Sequence, residues 1–82
     1  MVKVLFFAQL REALDCRQLE YDLQESLTVE QLIEKLSQNG EIWQQHLKTG
    51  RLMMAINQEL VSKETLIKDR DEVALFPPVT GG

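Results

Sequence analysis

Cysteine is nearly missing: Cys16 stands alone among 82 residues. One thiol cannot form an intramolecular disulfide, so a disulfide framework is excluded and a reducing, cytoplasmic setting is expected. Histidine is equally scarce. His46 has no second imidazole to share a metal with, and no metal site is expected. The four glycines form no phosphate-cradling loop, so any ATP site should lie on another protein. Cationic side chains are short as well. Nine Lys and Arg face thirteen Asp and Glu, for a net charge of -4 and a pI near 4.9. Binding to a nucleic-acid backbone draws on Lys and Arg to displace counterions, so no nucleic-acid partner is expected. An acidic surface suits a basic protein partner instead. No apolar run approaches membrane-spanning length. The apolar start, Met1 to Phe7, is soon broken by Arg11, Glu12 and Asp15 and does not read as a secretory leader.

What remains is ordinary for a small soluble fold. Hydrophobic residues make up 44% and charged residues 27%. The length allows one domain with a thin core and no separate catalytic lobe. The acidic residues are scattered and form no convincing acid–base pair.

Val2 to Ala8 is rich in β-branched and aromatic residues and predicts a strand. Leu10 and Leu14, four apart, predict a short helical turn over Gln9 to Asp15. Leu19, Tyr21 and Leu23 alternate with Glu20 and Asp22, as in a half-buried strand. Thr28 opens the clearest helix. Its hydroxyl and Gln31 can form a capping box, and Val29, Leu32, Ile33 and Leu36 share one face. Asn39-Gly40 is a natural stop. A second short helix is expected over Glu41 to Lys48, with Trp43 in the core and His46 on its flank. Leu52 to Ile56 predicts a strand, Asn57-Gln58 a turn, and Leu60-Val61 a short strand. Ser62 to Asp71 reads as irregular. Val73 to Phe76 is a last strand, stopped by Pro77 and Pro78. This order argues for an α+β fold with a helix across one face of a sheet. Residues 1–77 would form the domain and 78–82 an extended tail.

Period-two alternation then sorts the strand residues. Val2, Val4, Phe6, Leu52, Met54, Ile56, Val73 and Leu75 should face the helix. Leu5, Phe7, Met53, Ala55, Ala74 and Phe76 should point away. An outer face this apolar marks an interface, unless loops or a curled sheet cover it.

The chain closes on Phe76-Pro77-Pro78-Val79-Thr80-Gly81-Gly82. Prolines favour an extended backbone that holds the tail off the body. Glycines lack side chains and can enter a narrow channel. The one chemical handle there is the α-carboxylate, ionised and unreactive at neutral pH with a reference pKa near 3.5. Activation as an acyl-adenylate, followed by displacement of AMP by sulfur, would give a thiocarboxylate. A functionless frayed end is the bland alternative.

These residues carry a resemblance. The segments Lys3-Val4-Leu5-Phe6-Phe7-Ala8-Gln9 with Arg11 and Glu12, Ala55-Ile56-Asn57-Gln58, and Asp71-Glu72-Val73-Ala74 with Phe76 through Gly82 are similar to the MoaD family. These are the small subunits of molybdopterin synthase. The likeness spans nearly the whole chain; its middle, Cys16 to Gly50, departs freely. It implies a ubiquitin-like β-grasp fold. It implies that Gly82, preceded by Gly81, is adenylated by an activating enzyme that consumes ATP, and is then converted to a thiocarboxylate. The chain itself would bind no cofactor. The tail would enter the large synthase subunit, where two successive carriers supply the dithiolene sulfurs that turn cyclic pyranopterin monophosphate into molybdopterin. Phe7, Leu60 and Phe76 match apolar interface positions, and Pro77, Pro78, Val79 and Thr80 lie along the inserted tail. Arg11 joins the partner-facing set, with a plain surface charge as its alternative. The resemblance also implies a heterotetramer. Competing readings are a ubiquitin-like modifier, a thiamine-pathway sulfur carrier, and an interaction domain with an idle tail. Cys16 lacks a basic cluster to activate it and is not expected to supply the sulfur.

Overall fold

The computed structural model describes residues 1–78. Its elements run β1 (Val2–Phe6), α1 (Ala8–Leu14), β2 (Gln18–Tyr21), β3 (Leu27–Thr28), α2 (Val29–Leu36), a 3-10 turn (Ser37–Asn39), α3 (Glu41–Leu47), β4 (Met53–Ile56), β5 (Glu59–Leu60), β6 (Leu66–Ile67) and β7 (Glu72–Phe76). The main sheet has the order β2-β1-β7-β4-β5. β1 and β7 pair in parallel; the other pairs are antiparallel. The first and last strands are thus central neighbours. Parallel neighbours need a crossover, and the helices between them supply it.

The core forms where the apolar stripe of α2 meets the inner face of the sheet. Val29, Leu32, Ile33 and Leu36 pack with Val2, Val4, Phe6, Val73 and Leu75, all buried. The expected capping box starts α2. Gln31 donates its backbone N–H to Thr28 Oγ1 at 3.2 Å, and Thr28 N–H reaches Gln31 Oε1 at 2.9 Å. Trp43 is half-buried and sets its ring edge-on to Phe6, with centroids 5.6 Å apart. This α+β, mixed-sheet arrangement is the β-grasp architecture.

Several expectations need correction. β1 ends at Phe6, because Ala8 takes a left-handed backbone (φ 55°) that turns the chain into α1. Alanine gives no sequence signal for such a turn. α2 ends at Leu36, and the 3-10 turn carries the chain to Gly40, whose φ of 154° suits glycine. Val61 lies outside β5, and Leu23 outside β2. Ser62 to Asp71 is not wholly irregular: β6 pairs antiparallel with β3 in a separate two-stranded sheet. Leu52 and Met54 are only half-buried against the core.

Candidate tail-base interface

The register of the sheet sets out its outer face in rows. One row runs Gln18, Leu5, Ala74, Ala55, Leu60 across all five strands. The next row towards the tail holds Phe76 opposite Met53. Phe7 continues β1 in extended conformation and donates its N–H to the Leu75 carbonyl at 3.2 Å, which places it beside Phe76. The row on the opposite side is charged, with Lys3 between Glu20 and Glu72. The outer face therefore grades from charged at one end to apolar at the end where the chain leaves for its terminus.

Several of the apolar residues on this face are open to solvent. Phe7 is 44% exposed, Met53 36% and Leu60 67%; Leu5, Ala74 and Phe76 are half-buried. Ala55 departs from expectation. It lies on the outer face by register but is only 6% exposed, because its methyl group sits between Leu60 and Ala74 in the same row. Among the described residues no loop covers Phe7 or Leu60, so this part of the apolar face is open.

Sequence alternation could not place Leu60. The two-residue turn Asn57-Gln58 does, with both residues at positive φ (51° and 73°). That is the backbone of a tight hairpin whose twist matches its strands. Asn57 locks the hairpin to β7: its Oδ1 accepts the Glu72 N–H at 3.0 Å, and its Nδ2 donates to Asp71 Oδ1 at 3.0 Å. Leu60 is thereby fixed on the same face as Phe7 and Phe76. Arg11 lies on α1, exposed, one turn after Phe7, whose carbonyl accepts the Arg11 backbone N–H at 3.4 Å. Pro77 is half-buried and Pro78 exposed. Val79, Thr80, Gly81 and Gly82 lie outside the described residues.

The helix side of the tail base carries a second feature that sequence reasoning missed. An open groove of about 810 Å³ is lined by Ala8, Gln9, Leu10, His46, Thr49, Arg51, Leu52, Pro77 and Pro78. Three stretches of the chain (8–10, 46–52 and 77–78) build it, so no single one announces it. Cys16 is distant in role: half-buried, it points its thiol at the Gln18 carbonyl, 3.5 Å away. Among the described residues no group of three His, Cys, Asp or Glu side chains is placed to hold a metal ion. No helix among them is long and apolar enough to cross a membrane.

The site thus pairs an open apolar patch that includes Phe76 with an adjoining groove that includes Pro77 and Pro78. Known proteins share this body. The sequence model of the ThiS family matches residues 4–82. The molybdopterin synthase sulfur carrier subunit of Haemophilus influenzae is 49% identical, with the whole of each chain covered. The crystal structure of SAMP1 from Haloferax volcanii superposes with a TM-score of 0.78 over 99% of this chain and 98% of that one; at 24% identity this likeness speaks for the fold. A protein–protein complex of subunits 1 and 2 of the molybdopterin-converting factor from Helicobacter pylori contains a chain that superposes with a TM-score of 0.67. Its identity is 28%, with coverage of 99% and 97%.

Proposed function

This chain belongs to the ThiS family, and on that premise we propose that it is the sulfur carrier subunit of a molybdopterin synthase, acting through the carboxylate of Gly82. The observation that carries this reading is the likeness to the Haemophilus influenzae carrier subunit, 49% identical with the whole of each chain covered. The shape of the molecule agrees with it. The body offers a docking face around the tail base, with Phe7 and Leu60 exposed on it.

The chemistry follows from the terminus. A Gly82 carboxylate oxygen attacks the α-phosphorus of ATP, pyrophosphate leaves, and an acyl-adenylate forms. A sulfur nucleophile at the sulfide level then attacks the carbonyl carbon. The C–O bond to phosphate breaks, AMP leaves, and a thiocarboxylate remains. ATP is consumed on the activating enzyme; this chain supplies only the carboxylate and the surface that presents it. The four residues beyond Pro78 span at most about 14 Å, which lets the terminus reach into a partner's pocket while the body stays outside. In the large subunit the thiocarboxylate sulfur passes to cyclic pyranopterin monophosphate, and two carriers complete one dithiolene. A cytoplasmic heterotetramer is the proposed setting and assembly.

A protein modifier or a thiamine-pathway carrier would begin with the same adenylation. The full-length likeness to a synthase subunit favours the synthase over both. Reconstitution tests this choice. The thiocarboxylated chain, mixed with the large subunit and cyclic pyranopterin monophosphate, should form molybdopterin. If it forms none with a large subunit shown to be active alongside a known carrier, the synthase assignment fails.

A further inference from the structure

The groove on the helix side of the tail base has a composition unlike the rest of this acidic molecule. Its wall is largely apolar, through Ala8, Leu10, Leu52, Pro77 and Pro78. Its charged lining side chain is Arg51, and no Asp or Glu among the described residues lines it. Arg51 is exposed and forms no ion pair with any described residue, whereas Lys48 is held by Glu34 and Lys63 by Glu30. Its backbone is nonetheless anchored: the Arg51 N–H donates to Thr49 Oγ1 at 3.1 Å, which fixes the loop between α3 and β4. The groove is also continuous with the apolar face. Phe76 belongs to the patch, and Pro77 and Pro78, the next two residues, belong to the groove.

A protein that receives the tail must close around its base. The patch on one side of that base asks for apolar side chains. The groove on the other side asks for an apolar side chain beside a carboxylate, because a lone guanidinium on an apolar wall is the matching half of that pair. We infer that the groove is a second docking contact for the large synthase subunit, which sets an Asp or Glu against Arg51 while the patch holds its apolar surface. The inference rests on the proposed carrier function and adds to it a charge-selective contact outside the apolar face. An exposed charge at the rim of an interface acts mainly on the association rate and its salt dependence.

The test is stopped-flow association of the full chain with the large subunit, at low and at high salt, for wild type, Arg51→Glu, Arg51→Lys and Phe7→Glu. Circular dichroism confirms that each variant is folded. Arg51→Glu should slow association about tenfold at low salt, with the gap narrowing as salt screens the pair. Arg51→Lys should retain most of the rate. An Arg51→Glu rate equal to wild type at every salt concentration overturns the groove contact. The carrier reading stands or falls separately: wild type and Arg51→Glu should both bind more tightly than Phe7→Glu, and failure of wild type to bind at all would sink the carrier reading itself.

Discussion

The two faces of the central strand pair are made of similar residues and do different work. On β1 and β7 the inner set is Val2, Val4, Phe6, Val73 and Leu75, each essentially without solvent contact. The outer set continues Leu5, Phe7, Ala74 and Phe76, just as apolar, yet it stays half-buried or exposed. Composition therefore does not decide which side is core. What decides it is which face receives the stripe of α2. The uncovered face keeps the same hydrophobic surface at the end nearest the tail, and a charged row, Glu20-Lys3-Glu72, at the other end. Had the outer face served only stability, the charged residues would have no reason to collect at one end.

Substitutions should separate the faces. The largest effect is expected inside. Leu75→Ala leaves a cavity among Val4, Phe6 and Leu32 and should cost about 2–5 kcal/mol in urea unfolding, enough to unfold much of a small domain. The matching outer change, Phe7→Glu, should leave the unfolding free energy within about 1 kcal/mol of wild type, as expected for a surface position. It should weaken binding to the large subunit about 30-fold or more, as loss of an aromatic anchor does. If Phe7→Glu unfolds the chain instead, the two faces are one core and the distinction collapses. A smaller effect is expected at the start of α2, the element that makes the inner face inner. Thr28→Ala removes the cap from Gln31 N–H and should cost about 1 kcal/mol by thermal or urea unfolding, with no change in binding.

The smallest effect lies at the start of β1, at the end of the sheet opposite the tail base. The N-terminal ammonium beside Asp69 holds its carboxyl below the ordinary value of 3.8. A carboxyl depressed in the folded state adds stability above its unfolded pKa and loses it as pH falls through the folded one. Wild type should therefore be slightly more stable than Asp69→Asn near neutral pH. The difference should shrink and vanish as the pH drops below 4. The pair is solvent-exposed and the gain is slight. Salt titration should erase it.

The sequence exposed the inner face well, because period-two strands and a 3.6-period helix are local patterns. Val2, Val4 and Phe6, the stripe of α2 and the Thr28–Gln31 cap could all be placed by spacing alone. The outer patch was legible for the same reason at Phe7 and Phe76. Leu60 was not, since its face depends on the Asn57-Gln58 hairpin register, a cross-strand property. The β3–β6 pair escaped because two-residue strands carry no period. The turn at Ala8 escaped because nothing about alanine favours a left-handed backbone. The groove around Arg51 escaped because helices, a loop and the tail base meet there only in three dimensions. The tail was the reverse case: Gly81-Gly82 supply the proposal for its chemistry, while its geometry lies outside the described residues.

The central claim is that Gly82 carries sulfur, and intact mass measures it directly. The chain should be incubated with its activating enzyme, ATP and a sulfur donor, beside a variant lacking Gly82. The mass of the full chain should rise by the difference between one sulfur and one oxygen, and the truncated chain should stay unchanged. An unchanged full chain, with an activating enzyme that demonstrably adenylates another carrier, would contradict the account and leave the Phe7–Phe76 face as the surface of a plain interaction domain.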